Sequence, residues 1–383
     1  MGWLHCNPVA VKPPHCDRAG AAGAGAWGWG AVWWEGGGVP SFVYDALPGR
    51  IVFGAGAART ALAAEVERLG MSRLLLIASE RDAGRGLTAP FAGRVAAVFT
   101  AVREHVPVAT AEAAREAAAG ADGVLCVGGG SAVGAAKAVA LTTRLPILAV
   151  PTTYAGSEVT PVWGLSDGGV KTTGTDPAVL PRTVVYDPEL TATLPPELAT
   201  ASALNALAHC VEAFWAPRRN PVSSAVAEEG VRALAAGLRD GDPAQLLLGA
   251  YLAGSAFAVA GSGLHHKLAH VLGGLGMPHA RTHATLLPHV LAFNAPGSPE
   301  ATARVARALG RDDVGRDDAV AGLHAVTAAA GIPRGLAELG LAEDRLDEVV
   351  ERTLPAVPAD NPVPVDAAAL RRLVRAAWAG QAE

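Results

Sequence analysis

Four short apolar runs constrain this chain most: RLLLIAS (73–79), GVLCVGG (123–129), LPILAVPTT (145–153) and TVVYDPEL (183–190). Each has strand length, is bounded by turn residues, and is separated from the others by segments of helical character. Strands that are apolar on both faces need cover on both faces, so the alternation implies a parallel sheet between helical layers. Ahead of them, SFVYDALPGRIVFGAG gives short strands and turns that lead into a helix from about residue 57. After Pro195 nearly every segment is helical, with breaks at Pro217, Pro221, Gly261, Pro278, Pro296 and Pro333. The expected architecture is an α/β N-terminal dinucleotide-binding domain with a parallel sheet (41–194), a cleft, and an all-α C-terminal substrate domain (195–383).

Residues 1–40 differ from both. They hold five of the eight tryptophans in a Gly/Ala background without helical or strand period, and read as a low-complexity, disordered extension rather than an aromatic docking arm.

With 383 residues, 17% of them charged and a net charge of −5, the chain has the composition of a folded protein. The mildly acidic balance lacks the footprint of a nucleic-acid or anionic-membrane binder, so neither is expected as a partner. Cys6, Cys16, Cys126 and Cys210 show no paired spacing; Cys126 and Cys210 read as buried thiols, which suits a reducing cytoplasm. No run is expected to serve as a membrane helix or a signal peptide.

Two segments carry chemistry. In VLCVGGGSAVGAAKAVAL, the turn Gly128-Gly129-Gly130-Ser131 between a strand and a helix brings backbone N–H groups to a helix N-terminus, where a pyrophosphate binds. The spacing is neither GxGxxG, since Val133 takes the last glycine's place, nor a P-loop. PTTYAGSEVTPVWG adds hydroxyl groups just beyond another strand end, where open α/β sheets bind ligands.

The second is GSGLHHKLAHVLGGLGMPHARTH, with five of the eleven histidines within nineteen residues and Lys267 among them. Joined with His209, which stands four residues after Asn205 on one helical face, such a cluster can hold Zn²⁺ through three imidazoles. It can equally donate protons and hydrogen bonds to an anion.

The ordered set GGGSxxxxAK, PTTxxGSEVT, xxALAHxxEA and GLxHxxAHxLGGxxxxPHxxxxAxLLPHVLxFN resembles the iron-containing alcohol dehydrogenase family, of dehydroquinate synthase-like fold, over roughly residues 41–383. Within it the chain is similar to the maleylacetate reductases, on SFVYDALPGRIVFG, Tyr154 in PTTYAGSE, Asn205 in NALAH, the HHK of residues 265–267 and the late NPVPV.

The resemblance implies an NADH or NADPH site in which Gly129, Gly130 and Ser131 hold the pyrophosphate. Thr152, Thr153, Ser157, Thr160 and Lys171 would line the rest. Metal-dependent relatives usually carry an aspartate where this chain has Gly134 and an acidic residue near Ser79-Glu80-Arg81; here Glu80 would accept from a ribose 2′-OH, or Arg81 would pair with a 2′-phosphate. Their metal ligands, an aspartate and three histidines, map to Asn205, His209, His266 and His279, so the one anionic ligand is missing.

The implied activity is NAD(P)H-dependent reduction of the C=C bond of maleylacetate to 3-oxoadipate in aromatic-compound degradation, without metal, by a cytoplasmic homodimer. The alternative is a metal-dependent alcohol or polyol dehydrogenase using His209, His266 and His279. Conjugate hydride addition places charge on an enolate, which positioned N–H donors can stabilise where an isolated carbonyl needs a Lewis acid. His270 or His266 is the expected proton donor and oxyanion stabiliser, aided by Lys267. Asn205, His209, His279, His283 and Tyr154 are expected at the substrate carboxylates, and imidazoles with an ammonium group near pH 7 suit both a dianion and an enolate.

Overall fold

In the computed structural model, residues 42–47, 49–167, 170–311 and 315–381 are described, with only the backbone of Val170 and Lys171. The extension expected over residues 1–40 lies outside them. Strands β1 (Arg50–Phe53), β2 (Leu74–Ala78), β3 (Val95–Phe99), β4 (Gly123–Gly128), β5 (Ile147–Pro151) and β8 (Thr183–Tyr186) form one sheet in the order β1-β8-β5-β4-β2-β3. Every pairing in it is parallel. The central strands β2, β4, β5 and β8 are buried along their whole length, which is why their sequences lack a polar alternation. A separate antiparallel hairpin, β6 (Val162–Asp167) and β7 (Val170–Thr175), stands outside the sheet.

Helices α1 (Ala57–Thr60), α2 (Leu62–Arg68), α3 (Glu80–Ala83), α4 (Val108–Ala117), α5 (Gly130–Thr143) and α6 (Pro188–Thr191) accompany the strands. The chain is then helical: α7 (Pro196–Ala213), α8 (Pro221–Asp240), α9 (Pro243–Ala260), α10 (Leu264–Gly274) and α11 (His279–Asn294) build the site. Proline within the first turn starts α7, α8 and α9, where its missing N–H costs nothing. Asn220 and Asp242 cap α8 and α9 by accepting from the first-turn amides.

α9 is, by length and composition, apolar enough to cross a membrane. Its apolarity has another physical reason: Leu247, Ala250 and Ala253 are fully buried in the core that α9 shares with α7 and α8.

Sheet and helical halves pack as parts of one unit over Phe42–Glu383, and glycine sets how closely. A Cβ on Gly254 of α9 would lie 2.5 Å from the Gly156 carbonyl oxygen, so the loop after β5 rests directly on the α9 backbone.

Candidate active site

The strand order reverses between β2 and β4: from β2 the chain goes outward to β3, then returns to place β4 on the other side. Ligands of open α/β sheets bind beyond the carboxyl ends at such a point. There β4 ends at Gly128 and α5 begins at Gly130, with Gly129 as an N-cap that offers no side chain. The first-turn amides of the 14-residue α5 therefore face outward at the positive end of its dipole. A Cβ on Gly129 would come within 2.7 Å of Thr153 Cγ2, so glycine is also what lets the two ligand loops touch.

The residues expected around the nucleotide divide. Gly129, Gly130, Ser131 and Thr153 stand together at the turn, and Thr152 is anchored by its N–H to the Gly128 carbonyl at 3.1 Å. The Ser157 hydroxyl is buried without a partner. Thr160 is corrected: its hydroxyl is buried, accepts from Lys137 Nζ at 3.0 Å and donates to the Ser157 carbonyl at 3.0 Å, so it holds the loop and does not face a ligand. Lys171 lies in β7, and its side chain is outside the described residues.

Lys137 is a residue that sequence reasoning passed over. It is buried on α5 and donates to the carbonyls of Ser157 (2.6 Å), Thr160 (2.8 Å) and Val162 (2.7 Å). It thereby ties the hydroxyl-rich loop to the phosphate-binding helix. Burial pulls its amine down to about 7, while the oxygen cage favours the ammonium form.

At the crevice the acidic group is Asp82, not Glu80. The Asp82 carboxylate would lie 3.6 Å from a Cβ on Gly128, and it accepts from Ser79 Oγ at 2.9 Å and Arg85 Nε at 2.7 Å. Glu80 is exposed, and Arg81 donates to the Thr193 carbonyl and hydroxyl at 3.1 Å each. Gly134 is explained by packing, since a Cβ there would meet Val106 Cγ2 at 2.6 Å.

From Gly156 the path to the histidines is short. Gly254 and Phe257 are three residues apart on α9, about one turn, and Phe257 packs on His209 (4.5 Å between ring centroids) and His266 (4.9 Å). Around His266 the rings of His209, His265 and His283 stand at 5.0, 5.3 and 5.0 Å, with His270 at 6.1 Å; His279 is 4.5 Å from His283. The five histidines of α10 and α11 thus join His209 of α7 in one cluster. His265, His266 and His283 are buried, whereas His270 and His279 are exposed and form its open rim. Asn205, one turn before His209, and Lys267, which donates to Ser262 Oγ at 3.3 Å, are both half-buried.

Tyr154 does not join them. It is fully buried in the core and its hydroxyl pairs with Thr191, which corrects its placement at the substrate. Its position between two threonines and a glycine in a ligand loop does not reveal which way the ring turns.

Burial also sets the cluster's electrostatics. Burial, with repulsion from neighbouring rings, lowers His265 to about 4 and His266 to about 3, and takes His209 and His283 well below the ordinary imidazole value. These four rings are neutral at pH 7, so they act through hydrogen-bonding edges and lone pairs and not as standing cations.

Glu212, one turn after His209, organises the set. It is fully buried, contacts His266 Nδ1, and accepts from the His266 backbone amide at 3.3 Å at the N-terminus of α10. α10 begins at Gly263 with no cap of its own, and a Cβ there would press on Glu212 Oε1 at 3.1 Å. One carboxylate from α7 therefore caps α10 and fixes the His266 ring, and burial pushes that carboxyl up.

The resemblance also implies a divalent metal in the relatives, and this chain's mapped positions fit one poorly. Asn205 offers a neutral amide, and the His209 and His266 rings are stacked at 19°, so their in-plane lone pairs run side by side and do not converge.

A profile of the iron-containing alcohol dehydrogenase family matches residues 48–188, and one of the C-terminal region of the Fe-containing alcohol dehydrogenase family matches 199–378. The maleylacetate reductase of Sphingobium indicum is 45% identical over 352 residues, covering 88% of this chain and 98% of that protein. That of Burkholderia cepacia is 42% identical over 353 residues, covering 89% and 98%. Among solved structures, the maleylacetate reductase of Agrobacterium tumefaciens superposes with a TM-score of 0.83 at 41% identity, covering 90% of this chain and 100% of that one. An iron-containing alcohol dehydrogenase from Corynebacterium glutamicum does so with a TM-score of 0.83 at 46% identity, covering 89% and 98%.

Proposed function

The chain belongs to the iron-containing alcohol dehydrogenase family, and on that premise we propose that it reduces the C=C bond of maleylacetate to 3-oxoadipate with NADH or NADPH, without a metal. One observation carries the reading: six histidines meet in one cluster with His270 and His279 exposed at its rim, while the Glu212 carboxylate is fully buried against His266. An imidazole rim, with the nearest carboxylate buried and already engaged, suits a dianionic substrate.

The nicotinamide supplies the hydride when bound. Gly129, Gly130 and Ser131 hold its pyrophosphate, with Thr152, Thr153 and Ser157 beside it. His270, at the exposed rim, delivers the proton to the substrate carbon, and Lys267 with Asn205 orients the carboxylates. His266, fixed by Glu212, lies next to the developing enolate. Phe257 closes one side of the imidazoles and excludes water there.

We further place the reaction in the breakdown of aromatic compounds, in the cytoplasm, by a homodimer, with no nucleic-acid or membrane partner. The buried free thiols of Cys126 and Cys210 support a reducing compartment.

A second reading, a metal-dependent alcohol or polyol dehydrogenase, draws on one observation: the buried nitrogens of His209, His266 and His283 include several without a hydrogen-bond partner. An assay with maleylacetate and each reduced cofactor, with and without chelator, separates the two. Chelator-insensitive oxidation of the cofactor with 3-oxoadipate as product supports the first reading. Cofactor loss without that product, or activity that needs added Fe²⁺ or Zn²⁺, overturns it.

A further inference from the structure

We propose that His265, His266 and His283 form a buried three-imidazole site for one late first-row divalent cation, such as Zn²⁺, distinct from the ligand set that the family resemblance maps onto this chain.

Orientation is the first ground. One nitrogen from each of the three rings lies within 4.8 Å of the others. The ring planes meet at 80° (His265 with His266), 71° (His266 with His283) and 69° (His265 with His283). Planes at such angles intersect, so the in-plane lone pairs of the three rings can meet at one point. The stacked His209–His266 pair cannot do so. Tetrahedral ligands at about 2.05 Å from Zn²⁺ stand about 3.4 Å apart, so small ring rotations close the set.

The hydrogen bonds behind the rings are the second ground. His265 Nε2 donates to the His283 carbonyl at 3.0 Å, which leaves Nδ1 as a lone pair. His266 Nδ1 faces the Glu212 carboxylate, which leaves Nε2 as a lone pair. An acceptor behind each imidazole is how proteins orient metal-binding histidines. His265 Nδ1, His266 Nε2 and both nitrogens of His283 are buried without a partner, on residues at most 3% exposed. Buried acceptors without donors are costly, and a cation satisfies all three together. Neutral imidazoles select Zn²⁺, Ni²⁺, Co²⁺ or Cu²⁺ over Mg²⁺ or Ca²⁺.

The test uses the full chain, stripped with chelator and desalted, then titrated with Zn²⁺ by calorimetry and with Co²⁺ by visible absorption. Expected are one equivalent of Zn²⁺ and the d–d bands of four-coordinate Co²⁺. Both are lost in His265→Gln and in His283→Gln and kept in His279→Ala and Asn205→Ala. Glu212→Gln should weaken binding by roughly 10–100-fold. Glutamine keeps most of the volume and a donor, and with two ligands tested separately, a variant that fails to fold leaves the other decisive. Absence of stoichiometric binding by the wild type overturns the site. So does binding that survives both glutamine variants but is lost in His279→Ala. Zn²⁺ should also inhibit maleylacetate reduction by taking His266 Nε2. That last arm rests on the proposed function; the binding arms do not, so the two can fail independently.

Discussion

Glu212 on α7 and His266 on α10 meet in a fully buried contact that joins two of the three helices carrying the cluster. The same carboxylate accepts the His266 amide at the uncapped start of α10, so one side chain sets both a helix end and a ring orientation. Glu212→Ala should cost about 3 kcal/mol, since it leaves buried partners unpaired, and should abolish turnover. Glu212→Gln keeps an acceptor for the amide and should retain most of the stability while losing turnover. Urea unfolding beside steady-state rates decides; an alanine variant as stable and active as wild type sinks the assignment.

Lys137 makes a parallel case in the other half. Its ammonium ties three carbonyls of the loop that follows β5 to α5. Lys137→Met leaves those oxygens buried and unpaired, at a cost of about 3 kcal/mol, and frees the loop from the glycine turn. Reduced-cofactor binding, followed by fluorescence, should weaken together with the unfolding midpoint. Unchanged cofactor affinity would show that the clamp serves stability alone.

The sheet and the cluster were legible in the sequence for one reason: their signals are local. β2, β4, β5 and β8 are continuous apolar runs, and the histidines are close neighbours along the chain. What failed was direction. Tyr154 and Thr160 are hydroxyl residues in the right loop that turn into the core and toward Lys137. β3 escaped because its short VAAVF run contains two alanines, which favour helix, and the β6–β7 hairpin because threonine and glycine fill it. Glu212 lay within a recognised motif, but its partner is 54 residues away, and no local spacing announces such a pair. The imidazoles' neutrality likewise follows from burial, which composition does not show.

Asp82 at the crevice should make the chain prefer NADH. A carboxylate there accepts from a ribose 2′-OH and repels a 2′-phosphate, while Arg81 is engaged with Thr193. NADH should bind about tenfold more tightly than NADPH, equivalent to about 1.4 kcal/mol, and Asp82→Asn should narrow the ratio. Equal or tighter NADPH binding by the wild type would transfer the role to Arg81 and Arg85.

Acid should destabilise the fold before carboxylate titration begins. Burial lowers His265 and His324 to about 4 and His266 to about 3, and His209, His283 and His289 shift the same way. Between pH 6.5 and about 4 these six groups bind more protons in the unfolded chain than in the folded one, so their contribution to stability is full above 6.5 and falls as pH drops. Glu158 and Glu212, raised by burial, act in the opposite sense, but they are two groups against six. Thermal midpoints at pH 7.5, 6 and 5 should decrease in that order. A flat or rising series would mean that the cluster is already protonated in the fold.

Asn205 offers the sharpest chemical test, because it stands one turn before His209 where the metal-dependent relatives are expected to carry a carboxylate. Asn205→Asp supplies a charged oxygen ligand beside His209 and His266, whose rings are 5.0 Å apart. Metal affinity should therefore rise, with an ion drawn toward the mapped positions. The same charge faces a dianionic substrate. At 4 Å and an effective dielectric of 20, two unit charges repel by about 4 kcal/mol, and solvent and bound metal reduce this considerably. Maleylacetate turnover should fall as metal content after dialysis rises. Stoichiometric metal in the dialysed wild type, with activity lost to chelator and restored by Zn²⁺ or Fe²⁺, would reverse the assignment, since Asn205 would then belong to a working metal centre.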